Sequence, residues 1–297
     1  MTSSRLLFPN HLDLNIAGIS LRITSDQEIK GSDAFHPFLQ QCNSVDVHLS
    51  LRQVETLPPY PERVIYEDLC YRIHPDSKGG YLRTFFDPPR DYDPYAVAVY
   101  DYDHGLVQVD YLSKGAQCVS DLSTCVFHLG LEALLIHRNR LCLHASCVDT
   151  PMGGILFSGV SGIGKSTQAD LWCQYRNAKQ INGDRPILTK GTDGWLAWGS
   201  PYAGSSKIHV NASCPITAIV MLKQEATCTL RRLSLPEAFR AVWSGLTMHS
   251  WNEKLVELAS NLTIDLVSTV PVFEFGCTPD EAAVRYLEEE LGKECRL

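Results

Sequence analysis

No two of the eleven cysteines in this 297-residue chain stand in a C-x-x-C spacing. Thiols scattered through apolar runs read as reduced side chains of a cytoplasmic protein, not as a disulfide framework or a zinc site. The one tempting group, Cys142, His144 and Cys147, is split by strand alternation, which puts the first two on one face and the third on the other. No apolar stretch approaches the roughly 18 residues of a spanning helix, and Met1 to Asn10 lacks the apolar segment of a signal peptide, so no membrane partner is expected. Basic residues are in deficit, 26 against 34 acidic for a net charge of -8. That balance argues against a broad polyanion-binding surface and hence against nucleic acid. Internal repeats and low-complexity linkers are also missing. What is present, 44% hydrophobic and 20% charged residues, is the composition of a globular enzyme with room for one large or two modest domains.

The first part of the chain is β-rich. Alternating or β-branched runs at 16–24, 45–54, 71–74, 81–86, 96–100 and 106–111 are separated by Pro, Gly and Asp clusters. The Pro-rich stretches 57–61 and 87–94 read as loops, and Asp103-His104-Gly105 as a hairpin turn. A helix is expected over 122–138, capped by Ser120. These signals predict an N-terminal β domain over 1–118 and a second domain over 119–297.

In the second part, Ile155-Leu156-Phe157 is an apolar strand that runs into Ser158-Gly159-Val160-Ser161-Gly162-Ile163-Gly164-Lys165-Ser166-Thr167. Gly159, four free positions and Gly164-Lys165-Ser166 match G-x-x-x-x-G-K-[ST]. In that motif backbone N–H groups wrap a polyphosphate, the lysine offsets its charge and the hydroxyl reaches Mg²⁺. Residues 168–175 continue as a helix whose N-terminus faces the phosphate. Before the loop, a strand over 141–148 turns through 149–154 into the loop strand. That antiparallel hairpin differs from the usual run of parallel βαβ units. Beyond the helix come a strand at 180–182, a hairpin 187–189/195–198 turned by Asp193-Gly194, a strand at 216–222, helices over 235–243 and 253–267, a strand at 272–275 and an acidic helix over 281–291.

Bound Mg²⁺-ATP needs a second oxygen ligand beside Ser166, and Asp184, after the return strand, is the candidate. A hydroxyl acceptor also needs a group to take its proton. Asp184 and His144 are both candidates, and the spacing does not separate them. Lys207, in a Gly/Ser-rich loop, is a further candidate for the γ-phosphate. Trp195 and Trp198 read as core rather than as base-stacking residues.

The segment from His144 to Thr167, with Asn182-Gly183-Asp184-Arg185 after it, resembles the catalytic core of HPr kinase/phosphorylase, whose core fold is shared by phosphoenolpyruvate carboxykinase. The resemblance covers about 40 residues closely and leaves the first 115 unaccounted for. It implies an α/β (α+β) fold with a mixed sheet around the phosphate loop and ATP-dependent phosphorylation of a hydroxyl, with Gly159 to Thr167 on the phosphates and Ser166 on Mg²⁺. It also implies two successive acids after the loop helix, a base and then a metal neighbour. Here Gly183 stands in the first place and Asp184 in the second. The expected function is therefore a serine/threonine kinase acting on a peptide or small protein, such as a peptide natural-product precursor. The alternatives are a kinase of a small hydroxyl metabolite such as free serine, a carboxykinase-like enzyme, or a nucleotide-binding regulator that transfers nothing. Assembly into a homo-oligomer is left open.

Overall fold

Period-two alternation near the N-terminus does build sheet, but more finely divided than the runs suggest. The computed structural model describes residues 7–8, 11–76, 80–88 and 90–294, in two compact units, Met1–Leu134 and Leu135–Leu297. The first contains β1 (Leu7–Phe8), β2 (His11–Ile16), β3 (Ile19–Ser25), β4 (Ile29–Lys30), β5 (Val47–Gln53), β6 (Tyr66–Glu67), β7 (Tyr71–Pro75), β8 (Tyr81–Asp87), β9 (Asp91–Asp101) and β10 (Leu106–Tyr111). Eight of these form one sheet in the order β2-β3-β5-β10-β9-β8-β7-β6, with β5 parallel to β3 and β10 and the other pairs antiparallel.

Three expectations need correction in this unit. The run 16–24 is not one strand, because Ala17 and Gly18 both take positive φ and turn a hairpin between β2 and β3. The Pro-rich stretch 87–94 is not all loop. β9 begins at Asp91, and Pro94 lies where the register with β8 shifts, so its missing N–H interrupts no regular ladder. The helix expected over 122–138 breaks at Gly130, whose φ of 67° stops α1 (Leu122–Leu129) before α2 (Leu131–His137). Its cap is Asp121, which accepts from Ser123 N, whereas Ser120 Oγ donates to Gln117 O.

The second unit holds β11 (Arg140–Cys142), β12 (Ala145–Thr150), β13 (Gly153–Ser158), α3 (Lys165–Arg176), β14 (Lys179–Asn182), β15 (Ile187–Lys190), β16 (Trp195–Trp198), β17 (Ser213–Gln224), β18 (Thr229–Arg232), α4 (Leu235–Ser244), α5 (Glu253–Thr269), β19 (Val272–Cys277) and α6 (Glu281–Glu294). Its mixed sheet runs β11-β15-β16-β17-β13-β12-β14, with β19 on β17 and β18 on β19. At the centre β13, β17 and β19 are parallel, while β12 returns antiparallel on β13. The fold class is thus mixed α/β with two mixed sheets.

The core of this unit gathers Phe157, Val220 and Phe275 from the parallel strands, Trp172 from α3 and Leu287 from α6. Trp172 is fully buried against Phe157, and burial of so large a ring contributes on the order of 3 kcal/mol. Arg176 Nε on α3 donates to Glu288 Oε2 on α6 at 2.6 Å. These contacts fix the helix that starts at Lys165, three residues earlier than its apolar pattern indicated.

Candidate functional site

Ser158 ends β13, and the backbone then passes through three glycines with positive φ: Gly159 at 139°, Gly162 at 78° and Gly164 at 114°. A Cβ at Gly162 or Gly164 would meet nothing within 4 Å, so conformation rather than crowding makes glycine fit these two positions. Gly164 is the residue before α3, and its carbonyl accepts from Gln168 N as the first helical bond. The first N–H groups of a helix have no partner within it, and the loop brings them together with the positive end of the helix dipole. Lys165 is 8% exposed and donates through Nζ to Gly159 O and Val160 O, both at 3.2 Å. Burial lowers its pKa from the ordinary lysine value, and Asp184 pulls the other way. A strand, a glycine-shaped loop and a helix carrying a half-desolvated ammonium can together hold an oxyanion.

His144 is not in the middle of a strand. The expected run 141–148 divides into β11, which pairs with β15, and β12, which pairs with β13 and β14. Leu143 and His144 are the break between them, and the break turns the imidazole out of the ladder. Its backbone is tied down on two sides: His144 N donates to Gly245 O beyond α4, and Ser158 Oγ donates to His144 O. The second bond joins the histidine to the residue that opens the loop.

Asp184 follows β14. Asn182 Oδ1 accepts from Asp184 N at 2.9 Å and from Arg185 N at 2.6 Å, forming a side-chain turn. Asn182 is fully buried, with Nδ2 bonded to Ser200. The turn is zipped to β12: Ala145 N donates to Asp184 O, and Ser146 Oγ donates to Gly183 O. This brings His144 Nε2 to 3.2 Å from Asp184 Oδ1, while Arg185 Nε lies 3.3 Å from Asp184 Oδ2. Arg185 Nη1 in turn donates to Thr247 Oγ1 at 2.6 Å. Burial lowers the His144 pKa from its ordinary value, Lys165 and Arg185 lower it further, and Asp184 opposes them. These influences together favour the unprotonated imidazole, the form that can accept a proton.

The structure accordingly brings His144, Lys165 and Asp184 into one electrostatic neighbourhood. Ser166 and Thr167 occupy the first turn of α3. Lys207 is placed differently. It takes φ of 54° at the end of the short turn Gly204–Ser206, is exposed, and makes no hydrogen bond or ion pair with the other site residues. Its turn nevertheless covers the site: a Cβ on Gly204 would come within 3.0 Å of Asp184, and one on Gly183 would overlap Ser206. Trp195 is buried as a core residue and bonds through Nε1 to Asp265, whereas Trp198 is only half-buried and bonds through Nε1 to Thr189.

Sequence reasoning missed Arg185, Thr247 and Asn182. Asn182-Gly183 carried a turn signal that could have located the side-chain turn. Thr247 carried none, because only the course of the chain after α4 brings it to Arg185. Among the described residues no group of three His, Cys, Asp or Glu is placed to hold a metal ion, and no helix is long and apolar enough to cross a membrane. Ten cysteines are free thiols, with Cys147 Sγ 3.9 Å from Cys214 Sγ, and Cys295 lies outside the described residues.

Beside the loop lies a cleft of about 620 Å³, walled by Gly162, Thr167 and Gln168 on one side and by the ends of β17 and β19 on the other.

No protein-family model matches the chain, and no curated protein matches it. Among solved structures it is similar to the HPr(Ser) kinase/phosphatase from Coxiella burnetii, at 13% identity and a TM-score of 0.31, over 52% of this chain and 98% of that one.

Proposed function

We propose that this protein is an ATP-dependent kinase that transfers the γ-phosphate to a serine or threonine hydroxyl of a peptide or small protein. The observation that carries the reading is the joining of two features: a glycine-shaped loop with a buried lysine, and a His144–Asp184 pair bonded to that loop's own strand through Ser158. A phosphate loop alone serves many unrelated reactions. A neutral imidazole bonded to a carboxylate at the same strand end supplies what transfer to a hydroxyl additionally needs, a place for the proton.

In this mechanism the backbone N–H groups of 159–167 wrap the phosphates. Lys165 gives up its two carbonyl contacts to offset the charge that develops on the transferred group. The acceptor oxygen forms the new bond to phosphorus as the bond from phosphorus to the β–γ bridging oxygen breaks, and ADP leaves. The hydroxyl proton passes to the His144–Asp184 pair. Arg185, braced by Thr247, keeps the carboxylate aimed. The cleft beside Thr167 and Gln168 is the space for the nucleoside.

The donor set fits Mg²⁺ brought in with the nucleotide. That ion keeps most of its shell as water and phosphate oxygen and asks for one or two protein oxygens, here Ser166 Oγ and the Asp184 carboxylate. It would draw charge from the phosphates. Gly183 fits the same scheme: an acid there would collide with Ser206, so the turn over Asp184 occupies the place of a second carboxylate.

The test is transfer from γ-labelled ATP to an arrayed set of serine- and threonine-bearing peptides, with free serine as a control. Lys165→Ala and Asp184→Asn should each lower transfer by about a hundredfold or more. Unchanged transfer in both variants would exclude this mechanism, and labelling of free serine alone would move the acceptor to small metabolites.

A further inference from the structure

The excess negative charge is not spread over the chain. Residues 1–134 carry eighteen acidic against ten basic side chains, a balance of -8, while residues 135–297 carry sixteen of each. The whole net charge therefore belongs to the β-rich unit, which contains no part of the phosphate loop. That unit also ends its sheet on a strand of two residues, β6, with no further strand beyond it among the described residues.

The segment around β6 is unusually open. Val64 and Ile65 are 41% and 43% exposed, and Leu69 is 76% exposed, although aliphatic side chains of this size are ordinarily covered. Tyr66 continues the apolar surface inward, with its ring 6.0 Å from Tyr71, and Tyr71 meets the exposed ring of Phe127 on α1 at 6.1 Å. Interleaved with these are Glu62, Glu67 and Asp68 and one cation, Arg63, all exposed; Arg72 pairs with Glu67, and Asp68 accepts from Leu69 N. Sheet edges are commonly guarded by charge and brevity. Charge alone would guard this edge, but three exposed aliphatics beside it do the opposite.

We infer that the β6 edge is a docking strand for an extended peptide segment that alternates aliphatic and Lys or Arg side chains, added as an extra antiparallel or parallel strand. Main-chain hydrogen bonds to the edge would supply affinity, and alternate side chains would supply specificity. Apolar residues of the incoming segment lie against Val64, Ile65 and Leu69, and its basic residues lie against Glu62 and Asp68 in the field of a unit with a charge of -8. As the acceptor's docking surface this site rests on the proposed kinase activity; as a peptide-binding edge it does not, so the two readings can fail separately.

The experiment uses the full-length protein and two fluorescent synthetic octapeptides, Lys-Val-Lys-Ile-Lys-Val-Lys-Ile and its counterpart with Glu for Lys. Anisotropy should show the basic peptide binding about tenfold or more tightly than the acidic one, with affinity falling as salt rises. Backbone amide shifts should concentrate in residues 62–69. Leu69→Ser combined with Glu62→Lys, both exposed positions, should weaken binding about tenfold and leave Lys165-dependent nucleotide binding unchanged. Equal binding of the two peptides, shifts centred elsewhere, or concentration-dependent pairing of the edge with a second copy of this chain would each overturn the inference.

Discussion

His144 shows how neighbouring charges set the protonation state of one side chain. Burial and the cations Lys165 and Arg185 hold its pKa below the ordinary histidine value, and Asp184 alone works in the other direction. Removing that carboxylate charge must therefore lower the value further. A carbon-bound proton NMR titration of His144 in Asp184→Asn should move to more acid pH than in the parent, and a move upward would mean that the pair is not coupled as described. His128 gives the corresponding stability prediction. Its Nδ1 donates to Thr124 O and its Nε2 accepts from Tyr95 Oη, and burial lowers its pKa to about 4. The unfolded chain binds a proton near pH 6.5 and the folded one only near 4, so protonation favours unfolding. The stabilising difference is fully present above about 6.5 and is lost as pH falls toward 4, amounting to about 3 kcal/mol. His128→Gln should flatten that part of the stability-versus-pH curve in chemical denaturation.

At the scale of elements, breaks matter more than spans. Leu143-His144 interrupts a run that reads as one strand, and the interruption lets His144 leave the ladder and meet Asp184. Asn182 makes the matching turn. Asn182→Ala would strip acceptors from Asp184 N and Arg185 N and a donor from Ser200, costing about 2 kcal/mol in urea unfolding and more in phosphate transfer. Gly183→Asp should displace the Gly204–Ser206 turn rather than restore a missing base, which lowered transfer together with amide shifts over 203–209 would show. The loop motif and the strands flanking it were legible in the sequence because glycine spacing and apolar runs are local signals. The Ala17-Gly18 hairpin, the Gly130 break and the His144 break were not, since each is fixed by which neighbouring strand or helix is available to pair. The His144–Asp184 contact likewise depends on Ser146 and Ala145 zipping β12 to the turn, a register no spacing rule supplies.

At the scale of the whole chain, charge divides between the two units. The neutral second unit carries the glycine-rich loop and the His144–Asp184 pair, and the acidic first unit carries the open sheet edge. Binding of Mg²⁺-ATP to the folded protein should raise its thermal midpoint, by the equivalent of about 2.7 kcal/mol at a hundredfold excess over Kd. Lys165→Ala should abolish most of that shift. The most direct measurement of the central claim is single-turnover transfer from γ-labelled Mg²⁺-ATP to a serine-bearing peptide by the parent protein, Lys165→Ala, Asp184→Asn and His144→Gln. The account predicts labelled phosphoserine with the parent and a loss of about a hundredfold or more in the first two variants, with a smaller loss in the third. Tight Mg²⁺-ATP binding with no label in any hydroxyl acceptor, or full transfer in Lys165→Ala, would contradict it.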